Sequence, residues 1–381
     1  MKKIFLPVIF LFCFSMVFAQ QDRVITTAVP FLLIASDARA SGMGDVGVAS
    51  SPDGYSQQWN PAKYVFSKHQ YGVGVSYTPY LAELVNDISL LQANFHNRIN
   101  DRSAFAFSLR YFGLGEIELR QSANDPGEIV KPNEFSLDGS YSLKLSDKFS
   151  MAVAGRYIRS NLRLQQVDAN ARAGNSFAVD IAGFYQSDII PYKTFDGRWR
   201  AGFNVSNIGP KIQYDEGGQE NFLPTNLKFG AGFDFIFDEA NKLAINTEFN
   251  KLLVPTPQDF NNDGVIDAAD NDEYQDIGFF SGIFESFGDA PDGLSEELQE
   301  ITWALGVEYS YLDSFAFRSG YFNESDEKGS RKFFTLGAGF QFKAATIDVS
   351  YLFSTSQVRN PLENTLRFSL TLNFGREYLT F

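Results

Sequence analysis

Between Tyr71 and Phe374, apolar and polar residues alternate in fourteen stretches, and the connections between them are by turns short and long. Alternation with a period of two puts one set of side chains on each face of a strand. In Ser103–Phe112, Phe105, Phe107, Leu109 and Tyr111 share one face, and Ala106, Ser108 and Arg110 the other. In Leu366–Phe374, Leu366, Phe368, Leu370, Leu372 and Phe374 alternate with Arg367, Ser369, Thr371 and Asn373. The pattern predicts strands at 71–79, 87–95, 103–112, 134–145, 149–159, 175–186, 198–206, 226–237, 241–251, 301–310, 314–322, 333–342, 345–353 and 365–374. Each is long enough to cross a bilayer at a tilt.

A soluble β-sandwich also alternates. Three features favour a membrane barrel instead. The apolar face is rich in Phe, Leu and Tyr and poor in charge. Aromatic residues cluster at strand ends, as interfacial girdles do. Tight turns such as 146–148, 238–240, 312–313 and 343–344 follow every second strand, while the other connections run long: 113–133, 160–174, 207–225 and 252–300. The expected fold is all-β, a 14-stranded antiparallel transmembrane β-barrel. An even strand number places both termini on the periplasmic side and the long loops outside.

The first nineteen residues read as a signal peptide, with Lys2 and Lys3 before an apolar run and Phe18-Ala19 before the cut. The one cysteine, Cys13, lies inside that run, so a mature chain would have neither a disulfide nor a thiolate site. No later stretch is apolar enough for a spanning helix, and the mean hydropathy is −0.17. A barrel hides its membrane signal in this way, because half of each strand faces the lumen. That face carries Arg110, Arg156, Arg200, Lys228, Arg318 and Arg367 against Asp138, Asp180, Asp234, Glu248, Glu308 and Asp348. Buried charges must be paired or hydrated, so cross-strand ion pairs around water are expected.

Residues 20–70 lack strand rhythm and form the expected hatch, an apolar segment folded back into the lumen. It contains Phe31, Leu32, Leu33 and Ile34, then Gly42, Gly44 and Gly47, and ends near Asn60 and Pro61. The three glycines match G-x-G-x-x-G, but a dinucleotide site needs a flanking strand, a helix and a later acidic residue, and these are missing. Close packing in a narrow lumen explains them better. The barrel proper is then 71–374, with a tail at 375–381.

The acidic balance, net −14, is concentrated between Asp259 and Glu300, where thirteen acidic residues occur without a Lys or Arg. This excludes a nucleic-acid groove there. Asp259, Asn261, Asp263, Val265, Asp267 and Asp270 occupy positions 1, 3, 5, 7, 9 and 12 of an EF-hand-type loop, with Gly264 at the sharp turn, and Ca2+ is the expected ligand. The other reading is a solvated Asp/Asn-rich turn. Downstream lie Phe279, Phe280, Ile283, Phe284 and Phe287, which either fold over the barrel mouth or dip into the outer leaflet, or anchor a partner or cargo. His69 and His96 stand beside strand ends with no nucleophile constellation near them, so no enzyme is expected.

The run from Ala28 to Gly44, followed by Trp59-Asn60-Pro61-Ala62, resembles the N-terminus of the PorV family, outer-membrane shuttles of the type IX secretion system of Bacteroidota. FadL-like transporters are related barrels with a hatch. The resemblance implies partners: a translocon barrel of the SprA or Sov type, cargo C-terminal signal domains, and a PorU-type sortase attachment complex. The alternative function is a FadL-like outer-membrane channel for hydrophobic small molecules. A lumen this ionic is a poor tunnel for an acyl chain.

Overall fold

The computed structural model describes residues 23–120, 126–162, 170–356 and 360–378. The expected signal peptide and the first residues of the expected hatch lie outside these. The barrel strands are β1 (His69–Pro79), β2 (Ile88–Arg98), β3 (Ser103–Leu114), β4 (Asn133–Lys144), β5 (Phe149–Asn161), β6 (Gly174–Gln186), β7 (Asp196–Ile208), β8 (Asn226–Ile236), β9 (Asn241–Leu252), β10 (Thr302–Tyr311), β11 (Phe315–Asn323), β12 (Lys332–Phe342), β13 (Ala345–Ser354) and β14 (Leu366–Glu377). Every neighbour in this order is antiparallel, and β14 pairs with β1 through Val75 and Leu370, which closes the sheet. Closure removes the sheet edges, as a bilayer requires.

Alternation in the sequence becomes alternation between lipid and lumen. Phe107, Phe177, Phe229 and Phe317 are more than half exposed on the outer wall. Their neighbours Ser108, Ser176 and Arg318 are buried inside. An aromatic belt follows the strand ends: Phe135, Tyr157 and Phe177 lie ring to ring near the long loops, and Trp199, Phe233 and Phe235 near the short turns.

The final strand runs past the expected Phe374 to Glu377, so the first three residues of the expected tail belong to the wall. Tyr378 then donates its backbone N–H to Lys68 O at 2.8 Å and its hydroxyl to Arg98 O at 3.1 Å, under the Arg98 guanidinium.

Residues 23–67 fill the lumen. Two 3-10 turns (Pro30–Leu33 and Pro61–Phe66) and two single-turn helices, α1 (Ala38–Ser41) and α2 (Ser56–Trp59), supply the only regular structure of this described stretch. Phe31 and Leu32 pack on Leu90, Phe112 and Ile158 toward the long loops. Tyr64, Val65 and Phe66 pack on Ala104, Ala152 and Phe184 toward the short turns. The hatch therefore threads the barrel from end to end. Arg23 contacts Asp292 and Glu296 in the longest loop, whereas His69 and Tyr378 lie at the short-turn end. The first described residue thus stands at the long-loop end and the last at the short-turn end, while the chain ends of the expected periplasmic placing lie outside the described residues. Strand parity fixes where β1 starts and β14 ends, but a pass through the lumen carries the preceding chain to the opposite end.

Packing is close enough to dictate residue size. Gly42 has its Cβ position 3.0 Å from Gly337 Cα, and Gly44, at φ +76°, faces the Tyr321 backbone. Gly320 and Gly306 of the wall lie against the Met43 backbone, and Gly47 against the Trp59 ring. Gly320→Val should wedge the hatch off the wall. Single-channel recording in planar bilayers is expected to show a conductance that the parent protein lacks.

Candidate functional site

Two surfaces concentrate the chemistry of this molecule: the ionic lumen and the helical loop over its mouth. In the lumen, Arg318 on β11 donates through Nε to Glu308 on β10 at 2.6 Å and through Nη1 to Asp348 on β13 at 2.7 Å. Arg156 on β5 bridges Asp138 and Asp180 on its two flanking strands. Arg200 pairs with Asp234, and Lys228 lies 3.6 Å from Glu248. All of these pairs span adjacent strands, where inward-facing residues stand side by side, except Arg318–Asp348, which reaches across β12 over its Gly337 and Gly339.

The hatch supplies partners to many of these wall charges. Arg110 donates to the carbonyls of Phe31, Leu32 and Ile34 at 2.7–2.9 Å, and so satisfies a hatch turn that has left the sheet. Glu248 accepts the N–H groups of Gly47 and Val48, both at 2.8 Å. Arg39 of the hatch joins Glu308 at 2.8 Å to Asp53 at 2.8 Å. Arg367 pairs with Asp45 at 3.2 Å. Asn60 donates to Val48 O and Gly183 O, each at 2.9 Å, and its carbonyl caps the turn that Pro61 begins. The Trp59 indole donates to Asp37 at 2.7 Å. His96 is no boundary residue: it is buried, stacked on Tyr64 at 4.8 Å and 3.3 Å from Ser67 Oγ.

Below the hatch, at the short-turn end, an open vestibule of about 1040 Å³ remains. Arg39, Asp53 and Tyr55 form its floor, and Tyr192, Phe237 and Phe315 belong to its wall.

Above the lumen, residues 253–301 fold into three helices, α3 (Ala268–Asp276), α4 (Phe279–Glu285) and α5 (Leu294–Gln299). On α4 and just after it, Phe279, Phe280, Phe284 and Phe287 are 37, 61, 64 and 53% exposed, while Ile283 is half-buried. Phe280 packs edge-on against Phe279 and Phe284, at 6.5 and 5.4 Å between centroids. The loop holds them up; it does not fold them against the barrel.

The turn before α3 is tied by its own side chains. Asp259 accepts the N–H groups of Asp263 and Gly264, and Asp263 accepts that of Val265. Asp270 accepts those of Phe260, Asn261 and Asp267. These backbone N–H bonds, led by that of Asp267, hold its carboxyl below the ordinary range. Asn261 accepts from Asp263, and Gly264 turns the chain at φ +91°. Among the described residues, no three His, Cys, Asp or Glu side chains converge as a metal site.

Sequence reading missed the residues that fix the loop to the mouth: Arg23, Lys251 and Lys328 against Glu296, Glu297 and Glu300. Only the long acidic run without a cation signalled that its partners lie elsewhere in the chain.

A closed fourteen-strand barrel with an apolar outer wall and a plugged lumen is the architecture of an outer-membrane protein. A family model described as "Type IX secretion system protein PorV" matches residues 17–259, more than half of the chain, and the chain belongs to that family. The family's proteins serve secretion and are not enzymes. No curated protein sequence matches significantly. Solved structures to which the chain is similar include the Ralstonia pickettii toluene transporter TbuX, with 12% identity over 91% of this chain and 100% of that one at a TM-score of 0.47. The Pseudomonas putida toluene transporter TodX shows 14% identity over 88% and 96% at 0.48. A Pseudomonas aeruginosa FadL homologue shows 14% over 92% and 99% at 0.43.

Glu308 serves two guanidiniums at the inner end of the vestibule. Glu308→Ala leaves Arg39 and Arg318 short of a counter-charge and should cost about 3–5 kcal/mol. Urea unfolding in lipid vesicles, followed by tryptophan fluorescence, measures this.

Proposed function

We propose that this barrel is a carrier that binds at its outer face and does not conduct. In this reading it docks on a translocon barrel of the SprA or Sov type, takes cargo by the C-terminal signal domain, and hands it to a PorU-type sortase complex. The observation that carries the reading is the exposed aromatic ridge of Phe279, Phe280, Phe284 and Phe287 on a loop braced by the barrel mouth. Four such rings are costly to leave in water, roughly 1.5–3 kcal/mol each if otherwise buried. Aromatic side chains on a rigid support are the usual anchors of protein interfaces. The ionic lumen argues against a channel for hydrophobic solutes.

Phe280→Asp with Phe284→Asp should leave heat-modifiable barrel folding unchanged and stop cargo from reaching the cell surface. Cargo attachment at the parental level in that double variant removes the ridge from the mechanism. The orientation used here puts the long loops outside. Single cysteines at 279 or 327 should then react with an impermeant maleimide on intact cells, and cysteines at 146–148 and 238–240 should not.

Calcium at residues 259–270 is a proposal of the same kind. It rests on the order of oxygen donors and on Gly264, and it requires carboxylates now bonded to backbone N–H groups to turn toward one ion. Titration calorimetry should register one site at a Kd of about 10⁻⁴–10⁻³ M, the range of extracellular modules. An Asp263→Ala control should abolish it, and no heat at millimolar calcium excludes the ion.

A further inference from the structure

The outer end of the hatch is built into the helical loop above it. Arg23 Nη1 donates to Glu296 on α5 at 2.9 Å and lies 3.3 Å from Asp292. Lys328, in the turn between β11 and β12, reaches Glu296 at 2.7 Å, Glu300 at 3.0 Å and the Arg23 carbonyl at 3.3 Å. Lys251, at the end of β9, reaches Glu297 at 3.1 Å and Glu300 at 2.5 Å. The Glu296 and Glu300 side chains are 6 and 2% exposed, so these ions interact with little screening by water. Burial pushes the Glu296 carboxyl up, but the Lys328 ammonium and the Asp292 N–H outweigh it and hold the group below its ordinary range.

A second link lies five residues further on. Ala28 donates its N–H to the Phe222 carbonyl at 2.9 Å. The Phe222 ring packs edge-on against Tyr274 of α3 at 5.5 Å, and Lys211 Nζ lies 4.0 Å over the same ring while donating to Gln275 O at 2.7 Å. Beneath, Phe31 and Leu32 seat the hatch in the upper barrel core.

We propose that the charge cluster of Arg23, Lys251 and Lys328 with Glu296, Glu297 and Glu300 is a clasp that couples the surface helices to the hatch. The helices are held down through carboxylates that share their cations with the first turn of the plug. Lifting α5 strips Arg23 of its counter-charges, and lifting α3 removes the ring that backs Phe222. Either motion frees residues 23–35 and leaves the deeper hatch on its own contacts with Glu248, Glu308 and the wall glycines. A partner that bears on the loop is thereby felt inside the barrel, and by reciprocity the seated hatch favours the closed loop. The coupling is independent of which partner the α4 ridge takes.

Hydrogen exchange by mass spectrometry on the full-length protein in detergent tests this. Glu296→Gln with Glu300→Gln touches only the loop. Exchange should rise about tenfold or more both in 289–301 and in 24–35, with 42–66 at the parental rate. Arg23→Ala touches only the hatch and should produce the same rise in 289–301. A faster loop with an unchanged outer hatch in the first variant, or a faster hatch with an unchanged loop in the second, overturns the coupling. No change in either segment overturns the clasp itself. Protection of the β-strands verifies that each variant is folded.

Discussion

A charge on the inner wall of a closed barrel has few ways to be satisfied, and the structure depends on how this one meets that constraint. Water, a facing charge or a piece of chain are the choices. Here most of the paired wall charges meet across neighbouring strands, Arg318–Asp348 reaches one strand further, and others are met by the hatch. Arg110 and Glu248 hold hatch carbonyls and N–H groups that have no sheet or helix to bond with. The same bonds solve two problems, since irregular backbone at membrane depth is tolerated only where protein satisfies it. The lumen charges are therefore mounts for a plug that fills much of the barrel.

That arrangement moves recognition to the ends. The short-turn end keeps a vestibule, and the long-loop end carries three short helices with a row of exposed phenylalanines. Helices of six to nine residues are not stable alone. They persist because Lys251, Lys328 and Arg23 fasten α5, and Tyr274 fastens α3 to Phe222. The acidic excess of this loop has a structural use: four of its carboxylates, Asp292, Glu296, Glu297 and Glu300, face cations contributed by other segments. Burial among them lifts Asp289 to about 6, and Glu300 and Glu297 add to the rise. A rigid mount lowers the entropy lost when the ridge engages a partner.

Much of this was legible in the chain because a barrel writes its geometry into a period of two. All fourteen strands, their order and the turn alternation followed from which residues are apolar, and Phe107 beside Ser108 needed no coordinates to be assigned to opposite faces. The limits of β14 were not legible. Gly375, Arg376 and Glu377 carry no apolar period, and they join the wall because β1 begins at His69 and offers a partner. The small residues of the hatch were readable as a demand for close approach, yet Gly320 and Gly337, which receive them, look like ordinary strand glycines.

By itself the sequence determined the class: alternation, length and turn spacing admit a closed membrane barrel with an inner segment, and the residues from Ala28 to Ala62 carry the family likeness. Only the tertiary structure decided what that segment does. Its path through the lumen, the meeting of Arg23 with Glu296 across 273 positions, and the burial of His96 depend on which wall residues face it. Strand pattern is local and repeats every second residue. The hatch has no period, so its place is set by a sum of long-range charge and packing contacts that exist only once the barrel has closed.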